Sequence, residues 1–168
     1  LPITAVQILW VNMITTVALD LTLSFEPTEP GTMRRRPRPA DEPILSAYLL
    51  WRTLYVTLIM VAGAFGLYYW AESRGLSVEA ARTMVVNAIV VMELFYLFAV
   101  RHIHSTSLTW RGFLGTRAVH LGIVTVVAGQ IAFTYLPFMQ VAFGTEAIGL
   151  VESLAVIATG VALLLLVE

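Results

Sequence analysis

The chain has 168 residues, 58% hydrophobic and 12% charged, with a mean hydropathy of +0.82. A soluble domain carries about 25% charged residues, so an ordinary soluble globular domain is excluded and an integral membrane chain is predicted. The formal net charge of −1 decides nothing, because the arginines cluster in two connections and are nearly absent from the apolar runs; with no cysteine, disulfide frameworks, thiolate metal sites and cysteine nucleophiles are excluded.

Apolar stretches of about 20 residues, the length that crosses a bilayer, run near 5–25, 47–70, 83–101, 115–136 and 147–167. They predict an all-α fold: one polytopic membrane bundle of five transmembrane helices over residues 1–168. The start at Leu1, with no signal-like basic region before the first run, predicts a segment cut from a longer protein. Within the first run, Asn12, Thr16 and Asp20 fall at i, i+4 and i+8, one polar stripe on an apolar helix. Oxygen groups on one stripe can replace the hydration shell of a hard cation, and a carboxylate at membrane depth points to ion or proton handling. The bland alternatives are an interhelical hydrogen bond for Asn12, bonds back to their own turn for Thr15 and Thr16, and a paired structural carboxylate for Asp20. Gln7 is expected at the membrane interface.

The connection 26–46 holds most of the prolines together with Arg34, Arg35, Arg36 and Arg38, so it cannot be helical throughout. The connection 102–114 carries His102, His104 and Arg111, whereas 71–82 is mixed in sign and 137–146 has only Glu146. The positive-inside rule places 26–46 and 102–114 in the cytoplasm, with Leu1 outside and Glu168 inside. Ser46, Ser77 and Thr145 are candidate N-caps for the second, third and fifth spans, and Pro137 is expected to end the fourth. Trp10, Trp51, Tyr68, Tyr69, Trp70, Trp110 and Tyr135 form a candidate aromatic belt, with Trp10 set a turn inside the end of its span. Gly63, Gly66 and Gly129 would allow close helix approach, and Asn87 and Gln130 are expected to hydrogen-bond between helices. Glu93, near the midplane of the third span, is a weaker candidate ligand, since a buried carboxylate can also be held protonated or paired. His102 and His104, two residues apart, do not share a helix face and suit a surface role.

The string QILWVNMITT, followed by SFEPTEPGTMRRRPR, resembles the sixth transmembrane helix and following cytoplasmic loop of P-type cation-transporting ATPases, the group that includes calcium and sodium/potassium pumps. The Met-Arg-Arg-Arg-Pro wording is most similar to a calcium-pump-like bacterial subgroup. The resemblance implies that residues 1–168 are the C-terminal transmembrane domain, helices six to ten, of a pump in a bacterial plasma membrane. In calcium pumps the sixth helix supplies ligands from an Asn, a Thr three residues later, and an Asp directly after that Thr. Asn12 and Thr15 match the first two, while Thr16 stands in the third place. Asp20 lies one turn further on, about 6 Å along the axis and near the same face, which suits a displaced ion site or a proton site. The family's eighth-helix ligand position falls on Ile103, which cannot ligate; Glu93 is ten residues earlier.

The loop 26–46 would brace the phosphorylation domain. No Asp-Lys-Thr-Gly-Thr sequence and no Gly-rich nucleotide loop is present, so the segment is expected to be non-catalytic and to hold no cofactor, with ATP and Mg2+ used by the parent. Expected partners are the bilayer, the transported cation, and the remaining transmembrane helices and cytosolic domains; no nucleic-acid partner is expected. The alternative is a non-catalytic membrane protein, channel-like, an accessory subunit or a lipid-interacting anchor.

Overall fold

The first helix starts where its local chemistry directs. In the computed structural model, which describes residues 1–16, 24, 46–101 and 117–167, Thr4 Oγ1 accepts from the Gln7 N–H at 3.3 Å and Gln7 Oε1 accepts from the Thr4 N–H at 2.9 Å. This reciprocal pair satisfies two N–H groups that a helix start otherwise leaves bare. From it runs α1 (Ala5–Thr15), followed among the described residues by α2 (Ala47–Ser73), α3 (Val78–Arg101), α4 (Arg117–Tyr135), α5 (Pro137–Phe143) and α6 (Leu150–Val167), with no strand.

Ser46 Oγ accepts from the Leu49 N–H at 3.2 Å and Ser77 Oγ from the Ala80 N–H at 3.0 Å, capping α2 and α3. Thr145 behaves differently from its expected role. The helix that follows begins only at Leu150, and the Thr145 hydroxyl donates to the Phe133 carbonyl at 3.2 Å, tying the intervening strand of chain to α4. Pro137 does interrupt the fourth apolar run, but it also opens α5 from the N1 position, where its missing N–H costs nothing. Leu136 is extended, at φ −80° and ψ 126°, as a residue before proline prefers, and the chain turns through 81° between α4 and α5. Gly144 then closes α5 at φ +60°, a conformation that favours glycine.

Helices α2, α3 and α6 are long and apolar enough to cross a membrane, and α4 with α5 makes a fourth if that bent pair is a single span. The architecture is a helical membrane bundle. The continuation of the first run to residue 25, with Asp20, lies outside the described residues, apart from Ser24. So do the basic connections with Arg34 to Arg38, His102, Ile103 and His104.

The bundle is built around α3, which is buried on opposite faces. Val86, Val90, Leu94 and Leu97 meet Trp10, Val126, Phe133 and Met139 on one side; Ala81, Met84, Ala88 and Met92 meet Val56, Leu67, Val156 and Leu163 on the other. By contrast α2 leaves Trp51, Leu54, Leu58, Val61, Phe65 and Tyr69 exposed, an outer stripe at helical spacing. The extensive contact between α3 and α6 depends on Gly160. A Cβ at that position would lie 2.6 Å from Phe95 Cδ2 and 2.7 Å from Val91 Cγ1, so only a bare Cα lets the two backbones approach. Gly66, by comparison, has open space around it.

Gly160→Leu should therefore lower the thermal midpoint of the detergent-solubilised protein, with overpacking costing about 1–3 kcal/mol. Gly66→Leu should leave it close to wild type. Equal midpoints for the two variants would contradict the α3–α6 packing.

Candidate intramembrane ion site

Helix α1 has two unlike faces. Gln7, Trp10 and Val11 are buried and Ile14 is half-buried, all on the side turned to α3, α4 and α5. Trp10 stacks on Phe133 with ring centroids 5.5 Å apart and meets Phe143 edge-on at 5.3 Å. Its indole Nε1–H donates to Gln130 Oε1 at 2.7 Å. Gln130 Nε2 donates onward to Asn87 Oδ1 at 3.4 Å, and Asn87 Nδ2 donates to Thr134 Oγ1 and to the Thr83 carbonyl, each at 2.9 Å. Gln7 Nε2 donates to the Phe143 carbonyl at 2.9 Å, fastening the start of α1 to the end of α5.

The interhelical role expected for Asn87 and Gln130 is thus met. Gln7 is fully buried against the end of α5, and Trp10 lies in the core, a turn inside the start of α1. The Thr-x-x-Gln spacing of a capping box was the available signal for Gln7. For Trp10 it was the indole N–H, which needs an acceptor inside an apolar run.

The opposite face of α1 presents Leu9, Asn12, Met13 and Thr16, all exposed. Asn12 lies roughly 200° around the helix from Trp10. Thr15 is half-buried and its hydroxyl donates to the Val11 carbonyl at 2.9 Å, which leaves the oxygen lone pairs able to accept or ligate. The Thr16 N–H is bonded to the Asn12 and Met13 carbonyls, so its backbone still belongs to the helix. The structure gathers Asn12, Thr15 and Thr16 on the last turn of α1. Glu93 stands half-buried on another helix, α3, and Asp20 lies outside the described residues. Among the described residues no three His, Asp or Glu side chains come together. A mostly apolar cavity of about 320 Å³ lies between α3, α4 and α6, with Asn87, Gln130 and Thr134 along its polar wall.

The whole chain, residues 1–168, matches the sequence model of the family described as "Cation transporting ATPase, C-terminus". The chain belongs to this family. It is 44% identical over 149 residues to the "Probable cation-transporting ATPase F" of Mycobacterium tuberculosis (strain ATCC 25618 / H37Rv), a match covering 88% of this chain and 16% of that protein. It is 36% identical over 156 residues to the "Cation-transporting ATPase pma1" of Synechocystis (86% of this chain, 17% of that protein). It is also 30% identical over 156 residues to the human "Calcium-transporting ATPase type 2C member 2" (91% and 16%). The chain spans about one sixth of the length of these relatives. It is the integral membrane, C-terminal portion of a P-type cation-transporting ATPase.

Within this pump domain the Asn87 carboxamide joins α3 to α4, and removing it leaves the Gln130 amide and the Thr134 hydroxyl without their buried partner. Asn87→Leu should cost about 1–2 kcal/mol of stability, read as a lowered thermal midpoint in detergent. Thr125→Val is the control, since that exposed hydroxyl bonds only the Leu121 carbonyl of its own helix, at 2.8 Å; it should change the midpoint little.

Proposed function

We propose that residues 1–168 form the five-span C-terminal transport domain of an ATP-driven cation pump, and that α1 carries part of the ion site. The reading rests chiefly on one observation: α1 is anchored through Gln7 and Trp10 while Asn12 and Thr16, on the other face, are exposed and face away from the other described helices. A hard cation takes about six to eight oxygens. Asn12 Oδ1 and the hydroxyls of Thr15 and Thr16 supply some, and helices from the rest of the pump supply the others. Asp20, one turn beyond Thr16, adds a carboxylate to a displaced site or carries a counter-transported proton; Glu93 is a less favoured contributor. The fifth span follows if α1 continues through residue 25 and α4 with α5 forms a single bent crossing.

On this reading phosphoryl transfer takes place on cytosolic domains that bind ATP and Mg2+, and the basic loop 26–46 contacts the phosphorylated domain from the cytoplasmic side. The domain sits in a bacterial plasma membrane with Leu1 outside and Glu168 inside, as the arginine placement favours. It performs no chemistry itself; it converts a conformational change driven by phosphorylation into alternating access to the ion.

The test is ATP-dependent phosphorylation of the full-length pump, screened over calcium, magnesium, manganese, sodium and potassium. Asn12→Ala and Asp20→Ala should each raise the half-activating concentration of the effective ion by about tenfold, the value of one lost ligand interaction of about 1.4 kcal/mol. Thr16→Asp should shift preference towards a divalent ion. Unchanged ion dependence in both alanine variants would remove the site from α1.

A further inference from the structure

A transmembrane helix surrounded by lipid and other apolar helices feels little hydrophobic force that distinguishes one rotation about its axis from another. For a helix that bears ligands, that freedom is expensive. Side-chain oxygens lie about 5–6 Å from the helix axis, so a rotation of roughly 20° displaces them by about 2 Å, nearly the length of a cation–oxygen bond. Something must therefore set the angle of α1, and the structure supplies three contacts on its buried face. Trp10 Nε1 bonds Gln130 Oε1 at 2.7 Å, Gln7 Nε2 bonds the Phe143 carbonyl at 2.9 Å, and Ile14 sits over Gly129, where a Cβ would lie only 2.8 Å from Ile14 Cδ1. These residues stand at 7, 10 and 14, one face over two turns. The Gln130 carboxamide is in turn held by Asn87 Oδ1 at 3.4 Å, so the acceptor offered to Trp10 has a fixed direction.

We propose that Gln130 is a positioning residue for ion binding: with Trp10 it forms a latch that fixes the rotation of α1 and thereby aims Asn12 and Thr16 at the ion. Gln130 touches no candidate ligand and acts through the indole. The inference rests on the assignment of ligands to α1 made above. It adds a residue on α4 that neither the ligand pattern nor the family match assigns.

The experiment uses the full-length pump and reads the half-activating ion concentration and the maximal level of ATP-dependent phosphorylation, with Asn12→Ala in parallel. Gln130→Leu and Trp10→Phe should each raise the half-activating concentration about three- to tenfold while the maximal level stays near wild type. The double variant should shift no further than the larger single change, because both remove one bond. Gln130→Glu, held protonated in this buried setting, can give its O–H to Asn87 Oδ1 while its other oxygen accepts the indole N–H, and should restore near-normal affinity. Register is read separately from activity by cysteine pairs in a full-length pump whose cysteines outside these residues are replaced; residues 1–168 contain none. Ile14→Cys with Gly129→Cys should cross-link on oxidation and protect both thiols from maleimide, whereas Met13→Cys with Gly129→Cys in an Ile14→Ala background, which leaves room for the added Cβ, should not. Adding Gln130→Leu should make both pairs react.

If Asn12→Ala shifts the ion dependence and the latch variants do not, the latch is overturned and the ligand assignment stands. If Asn12→Ala leaves ion dependence unchanged, the ligand assignment fails and the positioning role falls with it. Should Gln130→Leu lose phosphorylation altogether, the cross-links decide: an unchanged pattern overturns the latch and a spread pattern supports it.

Discussion

A carboxamide buried among apolar helices has no water to fall back on, so its partners must be built in, and Asn87 is where this bundle builds them. Its oxygen takes the Gln130 amide, and its nitrogen is shared between Thr134 across the interface and the Thr83 carbonyl one turn back. Each connection carries further than one pair. Gln130 reaches α1 through Trp10. The Thr83 hydroxyl accepts the Glu146 N–H at 3.0 Å, and the Glu146 carboxylate takes the hydroxyl of Ser77, the residue that caps α3. One line of hydrogen bonds thus runs from α1 through α4 and α3 to the segment that leads into α6. An unsatisfied polar group in such surroundings costs several kcal/mol, so the buried members Thr83, Asn87, Gln130 and Thr134 cannot move without their neighbours finding new partners, whereas the Ser77–Glu146 end of the line is exposed.

The other half of the bundle is held by a different force. Between α2, α3 and α6 the buried contacts are steric: Ala71, Ala81 and Ala88 are fully buried, Gly160 is pressed against Phe95 and Val91, and Met92 reaches over Gly63. Polar contacts lie at the ends, where the Tyr55 hydroxyl donates to the Leu166 carbonyl at 3.0 Å and Arg74 pairs with Glu152 at 3.8 Å. Lipid chains are as apolar as the side chains they would replace, so close fit rather than burial from water favours these contacts. A close-packed trio resists small continuous deformation. Directional bonds, by contrast, fix angle and register while covering little area. The emphasis follows the helices: α3 belongs to both halves, α2 and α6 are held chiefly by fit, and α1 and α4 add buried hydrogen bonds to their packing.

This difference also explains what could be read in the sequence. Features whose cause lies within a few residues were legible: the serines before α2 and α3, the break at Pro137, and the long apolar runs that make the helices. Features whose partner is far along the chain were only half legible. Asn87 and Gln130 announce that they need partners, but nothing local says that Gln130 will serve an indole 120 residues away or that Gln7 will bond Phe143, 136 residues away. Thr145 misled for the same reason, since its hydroxyl satisfies Phe133 across the turn and not the helix that follows. Gly160 drew no notice among several glycines because the need for a bare Cα arises from Phe95 and Val91 on another helix. In the candidate site, the pattern of Asn12, Thr15 and Thr16 was visible as spacing, whereas the face on which they lie required the packing of α1.

That face bears on how a domain of this kind would couple to the rest of a pump. A cation site must open and close, which requires its ligands to separate and reassemble between bodies that move relative to one another. On the proposed reading, α1 contributes only neutral oxygens and Asp20, too few to complete a coordination shell, so the ion lies at the boundary between this domain and the remaining helices. A boundary site works best when one wall keeps its shape and the other moves. Gln7, Trp10 and Ile14 tie α1 to α4 and α5, and through Asn87 to α3, which is itself locked to α2 and α6. The polar line and the close-packed trio together make the ligand-bearing face of α1 part of one braced body. Motion that exchanges the ion is then assigned to helices on the far side of that face, and the few directional bonds behind α1 decide how faithfully its oxygens meet them.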